Sequence, residues 1–163
     1  MKPRVLIIMG SDTDLPVMEE AAKVLRRFVI PCIMTVASAH RTPERTLKLI
    51  KNAEKGGIQV IIAGAGMAAH LPGVVASHTI IPVIGVPLDA SPFGGMDALL
   101  SMVQMPPGIP VATVAIGGAE NAGLLAAQII ASSDEELSKR VAAEREARLR
   151  KILEADSEVS KQF

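Results

Sequence analysis

The chain has 163 residues, the size of one ordinary domain, enough to bury roughly 70% of the surface that its unfolded form exposes. Lys and Arg balance Asp and Glu at 17 each, and there are three Phe but no Trp or Tyr, which excludes a basic field for nucleic acid or anionic lipid and an aromatic platform for base stacking. The single cysteine, Cys32, excludes an internal disulfide and a cysteine-built zinc site, and fits a reducing cytosol.

No charged segment leading into a long apolar run precedes the first strand, so a cytoplasmic protein is expected. Arg4–Met9 reads as that strand and runs into the loop Gly10-Ser11-Asp12-Thr13-Asp14. A helix follows over Leu15–Phe28, with Asp14 as its cap and Pro16 in its first turn. The second strand, Cys32–Ala37, holds Cys32 as a small core residue and ends in Ser38-Ala39-His40-Arg41-Thr42-Pro43, ahead of a helix over Pro43–Lys55. Val60–Ala63 is the third strand; the small residues Gly64, Ala65, Gly66, Ala68 and Ala69 lead to His70 and a helix over Leu71–His78. Val83–Val86 and Val111–Ile116 complete the strands, with helices over Gly95–Gln104, Asn121–Ala131 and from Asp134 to about Ala155. Gly and Pro interrupt the uncharged run from Val60 to Leu88 too often for a membrane span.

Five strand–helix repeats with uniformly apolar strands predict a parallel sheet covered on both faces, a three-layer α/β/α sandwich. One domain is expected over 1–163, with a core at 1–132 and a helical extension at 133–163. If strand one lies between strands two and three, the flavodoxin-like order, the crevice at the switch point is lined by the loops after strands one, two and three.

Charge is unevenly spread. Between Gly56 and Gly118 only Asp89 and Asp97 are charged, so apolar surface is expected to be buried between subunits of a homo-oligomer. The last 30 residues carry eight acids and seven bases. Their helix aligns Leu137, Val141, Leu149, Ile152 and Leu153 on one side, which can lie across a neighbouring subunit or pack on its own domain.

The three loops bring chemistry-bearing residues to one sheet edge. Gly10-Ser11 before a helix N-terminus suits a phosphate, and Arg41 matches a phosphate bidentately or pairs with Glu44 or Glu20 on the surface. Asp14 caps its helix or accepts from ribose hydroxyls. His40, beside Ser38 in a loop, reads as a general acid/base, His70 as a pocket wall, and His78 as structural or exposed. No His pair at i, i+4 with a carboxylate suggests a metal, and neither a P-loop nor a dinucleotide-binding glycine motif follows strand one.

In these segments the chain closely resembles the 5-(carboxyamino)imidazole ribonucleotide mutases of purine biosynthesis, the PurE family. The resemblance is carried by Met9-Gly10-Ser11 with Asp14, by Ser38 to Pro43, by Ile61 to Gly66, and by Ala68-Ala69-His70-Leu71-Pro72-Gly73. Gly85-Val86-Pro87, Ser101 to Pro106, Pro110 to Ile116 and Asn121 to Ala127 extend it, so that it spans about residues 4 to 131 in matching order. It implies a flavodoxin-like fold and an octamer with active sites near subunit contacts. The implied reaction is an isomerisation that moves a carboxylate from the exocyclic amine of an aminoimidazole ribonucleotide to ring carbon 4, without ATP, metal or organic cofactor. By the same resemblance Ser11, Asp14 and Arg41, with Thr13 and Ser38 beside them, bind the ribose phosphate, and His40 transfers the proton. His70 with the Gly64–Ala69 loop, including Gly66 and Ala68, surrounds the transferred carboxylate, and the uncharged segment through Leu71 closes the pocket. Transient contact with the ATP-dependent synthetase that makes the substrate is also expected.

A second branch of the family carboxylates the aminoimidazole ribonucleotide directly and carries a Ser-Asn element where this chain has Ala69-His70; the mutase branch is therefore expected. Thr13 stands where Ser is usual, Met67 where Gly is common, and Gly117–Glu120 is about two residues short. The alternatives are the direct carboxylase and a non-catalytic flavodoxin-like nucleotide-binding module. Ala63-Gly64 lacks the Asp of a phosphoacceptor receiver.

Overall fold

The computed structural model describes residues 2–162 and contains a five-stranded, all-parallel sheet in the order β2-β1-β3-β4-β5. The strands are β1 (Val5–Met9), β2 (Cys32–Val36), β3 (Val60–Gly66), β4 (Val83–Leu88) and β5 (Ala112–Thr113). Helices α1 (Leu15–Arg27), α2 (Pro43–Gly56), α3 (Leu71–Ala76), α4 (Met96–Val103) and α5 (Ala119–Ala131) follow the strands in turn, and α6 (Glu135–Ser160) ends the chain. This is the expected three-layer flavodoxin-like sandwich.

Alternation along the strands sorts the core into two layers. Val5, Ile7, Met9, Val60 and Ile62 face α1 and α5, while Leu6, Ile8, Ile61 and Ala63 face α2, α3 and α4. Within α1, Met18, Ala21 and Leu25 recur at helical spacing and, with Phe28 at its C-cap, are buried against the sheet, whereas Glu19, Glu20 and Lys23 form the solvated side. Helix α2 starts with Pro43 and stops at Gly57, whose φ of +80° caps the helix in a left-handed conformation. Helices α1 and α5 pack closely because Gly123 has no side chain. A Cβ there would lie 2.9 Å from the Ala21 carbonyl oxygen and 2.9 Å from the Val24 Cβ. Gly123→Ala is expected to cost about 2 kcal/mol, read as a lower urea midpoint with an unchanged m-value.

Several element ends differ from expectation. Strands β3 and β4 continue to Gly66 and Leu88, because Gly64 pairs with both Met9 and Val86 and the neighbouring ladders hold small residues in extended form. Strand β5 is shorter than Val111–Ile116: Pro110 has no amide hydrogen to donate, and the chain turns at Gly117 (φ +68°) and Gly118. Cys32 is only half-buried because β2 is an edge strand. Asp134 caps α6 by accepting from Leu137 N–H (3.1 Å) and pairs with Arg4 (2.9 Å), tying α6 to the start of β1. The first turns of α6 pack on their own subunit through buried Leu137 and partly buried Val141, while Leu149, Ile152 and Leu153 are exposed. Among the described residues no helix is long and apolar enough to cross a membrane.

Candidate active site

Three loops at the carboxyl edge of β1, β2 and β3 enclose a cleft of about 530 Å³, a volume suited to a nucleotide. It is lined by Ser11, Thr13 and Asp14 from the first loop, Ser38, His40 and Arg41 from the second, and Gly66, Met67, Ala68, Ala69, His70 and Leu71 from the third. A larger cleft of about 650 Å³ lies at the opposite edge, between the starts of β4 and β5. His78 is there, but its Nδ1 is engaged by Ser77 Oγ and the Val74 carbonyl (both 2.9 Å), and Glu54 accepts from Thr79 (2.8 Å). Among the described residues no Lys or Arg lines that cleft.

The first loop is pinned from within. Ser11 N–H donates to Asp14 Oδ2 (2.9 Å), while Ser11 Oγ accepts from Thr13 N–H (3.4 Å) and Thr13 Oγ1 (2.9 Å) and donates to Asp12 (3.0 Å). A one-turn 3-10 helix at Asp12–Asp14 therefore separates the loop from α1. Of the two roles read for Asp14, the cap of α1 does not form: its carboxylate turns back to Ser11 and makes no capping bond to α1. Burial pushes the Asp14 carboxyl above its usual value of 3.8, opposed by the Ser11 and Gly10 amides and the Arg41 charge.

Arg41 joins the first two loops. Its Nη2 donates to the Gly10 carbonyl (2.8 Å), its Nε meets Ser38 Oγ (3.5 Å), and its own N–H donates to Ser38 Oγ (3.2 Å). It makes no ion pair with Glu44 or Glu20, so the surface salt bridge considered from sequence does not form. Thr42 closes the second loop as its N–H and Oγ1 both donate to the Ser38 carbonyl (2.9 and 3.1 Å) and its Oγ1 accepts from Ser38 N–H.

The two loop histidines meet directly: His40 Nε2 and His70 Nδ1 are 2.6 Å apart, with the rings nearly perpendicular at 83°. One ring donates and the other accepts, so the bond requires at least one of the facing nitrogens to be unprotonated. Both side chains are exposed at the cleft, which leaves the outward nitrogens, His40 Nδ1 and His70 Nε2, to face a ligand or water.

Ala69 and Leu71 are nearly fully buried and form the apolar floor. Gly64 does not reach the cleft: it is buried within β3 and its missing side chain makes room for Met18 of α1. Gly66 lines the cleft and cannot carry a side chain, since a Cβ would meet the Ala90 Cβ at 2.5 Å. Ala90, on the loop after β4, is a lining residue that sequence reasoning missed; the pairing of β3 with β4 is what brings it there.

The chain matches the AIR carboxylase family over residues 4–151. It is 57% identical to the N5-carboxyaminoimidazole ribonucleotide mutase of Thermotoga maritima over 152 residues, covering 93% of this chain and 89% of that protein. It is 60% identical over 144 residues to the mutase of the same name from Pyrococcus abyssi, covering 88% and 83%. The crystal structure of Treponema denticola PurE superposes with a TM-score of 0.88 at 34% identity, covering 96% of this chain and 98% of that one. The chain belongs to the AIR carboxylase family.

Proposed function

We propose that the chain is an isomerase of purine biosynthesis that converts N5-carboxyaminoimidazole ribonucleotide to the 4-carboxy-5-amino isomer. The observation that carries this reading is the bonded His40–His70 pair, facing Arg41, Ser11 and Asp14 across one cleft with an apolar floor. The relatives named as mutases, at 57% and 60% identity, support it.

Arg41 and the Ser11–Thr13 loop hold the phosphate, and Asp14 accepts from the ribose hydroxyls through the carboxylate oxygen that Ser11 does not occupy. Ser38 orients Arg41. In the reaction the carbamate C–N bond breaks and carbon dioxide forms, while the exocyclic nitrogen takes up a proton from the His40 imidazole, which is left as a base. Ring carbon 4 then attacks the carbon dioxide, and a base removes the proton from carbon 4. His40 is that base, and a proton taken at an outward nitrogen of one ring can leave through the other. The floor of Ala69 and Leu71, with Gly66 and Ala68 beside it, offers carbon dioxide no nucleophile and limits access of water.

His70→Asn keeps a hydrogen-bonding group beside His40 but removes the second imidazole of the pair. A kcat loss of about 10- to 100-fold is expected, with little change in KM, measured by steady-state kinetics.

The chain works as a cytoplasmic homo-oligomer, an octamer, and takes its labile substrate in transient contact with the ATP-dependent synthetase. Support for assembly comes from Met96, Leu100 and Val103, which recur at i, i+4 and i+7 on α4 and stand half-exposed beside exposed Phe93. The reaction is tested by offering the purified chain the carbamate in one cuvette and the aminoimidazole ribonucleotide with bicarbonate in another. Rapid product formation from the carbamate alone is expected; efficient use of carbon dioxide would instead make it a direct carboxylase, and silence in both would leave a nucleotide-binding module.

A further inference from the structure

We infer that Met67 covers bound substrate at the mouth of the cleft and limits escape of carbon dioxide during transfer, an inference that rests on the reaction proposed above. Met67 is the first central residue of the turn that Ala69 N–H closes onto the Gly66 carbonyl at 3.0 Å. Its φ is +54°, a left-handed conformation in which glycine is the ordinary occupant because a Cβ crowds the adjoining peptide. Ala69, at the end of the same turn, has a φ of +28°. The chain therefore keeps a strained backbone at the wall of its site and places a long apolar side chain there. Such strain persists only where the surroundings hold it, and it collects at ligand clamps.

The side chain is also placed to cover. Met67 is 60% exposed, whereas Ala69 and Leu71 are 3% and 2% exposed, so it stands at the mouth of the cleft whose floor those residues form. Gly66 is barred from carrying a side chain by Ala90, and Ala68 and Ala69 carry only methyl groups. Of the four turn residues, Met67 alone reaches beyond a Cβ. Its unbranched thioether chain has three rotatable bonds and adapts to an irregular surface, such as the edge of an aminoimidazole ring. Folding over the ring would exchange solvent-exposed apolar surface for contact with the ligand. It would also exclude water from the carbon dioxide formed beneath it.

Met67→Gly and Met67→Leu test this. The glycine variant relieves the strained φ but gains freedom in the unfolded chain, so its melting temperature is expected within about 4 °C of the parent, showing that it folds. Its KM is expected to rise about tenfold, the effect of losing one or two buried methylenes. Free aminoimidazole ribonucleotide released per product formed, after subtraction of spontaneous carbamate breakdown, is expected to rise several-fold. Met67→Leu keeps both quantities within about twofold of the parent. A glycine variant with the parent's KM and the parent's leak would overturn the covering role while leaving the reaction intact. A parent chain that turns over neither substrate overturns the reaction instead, and calorimetric affinity for the 4-carboxy product nucleotide then decides the covering role. Binding weakened about tenfold by Met67→Gly supports it, and unchanged binding rejects it.

Discussion

Replacing His40 by asparagine is expected to lower kcat by about 10²- to 10⁴-fold, the contribution of a positioned acid/base, while KM for the nucleotide changes by no more than a few-fold. In the proposed reading other loop residues hold the phosphate and ribose groups of the substrate, so ground-state binding is expected to survive. Asparagine fills much of the imidazole's volume and can still bond to His70, 2.6 Å from the nitrogen it replaces. His40 is exposed in a loop, and the core does not depend on it. An unchanged thermal midpoint is therefore expected, and steady-state kinetics together with a melting curve checks both. A variant with normal kcat would remove His40 from the proton transfer.

Arg41→Met is expected to raise KM about 100-fold with a smaller effect on kcat. Two charge-assisted hydrogen bonds to a phosphate contribute about 1.5–3 kcal/mol each, and an exposed site recovers only part of that sum. Arg41 also bridges two loops through the Gly10 carbonyl and Ser38, so its loss is expected to loosen the loops proposed to hold the phosphate as well as removing a charge. Arg41→Lys separates these contributions. Lysine restores the charge without the fork, so KM should recover partly, and the remaining defect measures bidentate geometry. Rising ionic strength should raise KM for the parent and for the lysine variant, and much less for the methionine variant. The same substitution removes the cation that opposes burial at Asp14, so the Asp14 carboxyl moves further above its usual value.

The strand order was legible because five apolar runs alternate with helical stretches, and right-handed crossovers leave few arrangements. That order in turn predicts which three loops converge. What sequence could not supply was distance: His40 and His70 lie 30 positions apart in the chain, and only the folded loops make them partners. Local patterns misled at three places. Gly64–Gly66 has the composition of a loop, yet pairing with β4 along its length, and with β1 at Gly64, holds it as strand, and Gly64 is small to admit Met18, not a ligand. Asp14 has the position of a helix cap, yet a closer donor, Ser11 N–H, takes its carboxylate. Ala90 carries no chemical signal and enters the cleft only through the neighbouring strand. In α6, Leu137 and Val141 pack on their own domain, while Leu149, Ile152 and Leu153 face outward. Ion pairs of Arg148 with Glu120 (2.6 Å) and Glu144 (3.1 Å) fix the middle of that helix, and Arg148 with Arg27 holds the Glu120 carboxyl below its usual value.

Transfer of the carboxylate within one closed site is tested most directly by turnover of carbamate labelled with ¹³C at the carboxyl carbon, in excess unlabelled bicarbonate and carbon dioxide. Product that retains nearly all of the label is the predicted result, because in the proposed reaction the carbon dioxide stays in the cleft between cleavage and capture. Product whose label matches the dissolved pool would contradict it, and would mean that this chain releases carbon dioxide and recaptures it from solution.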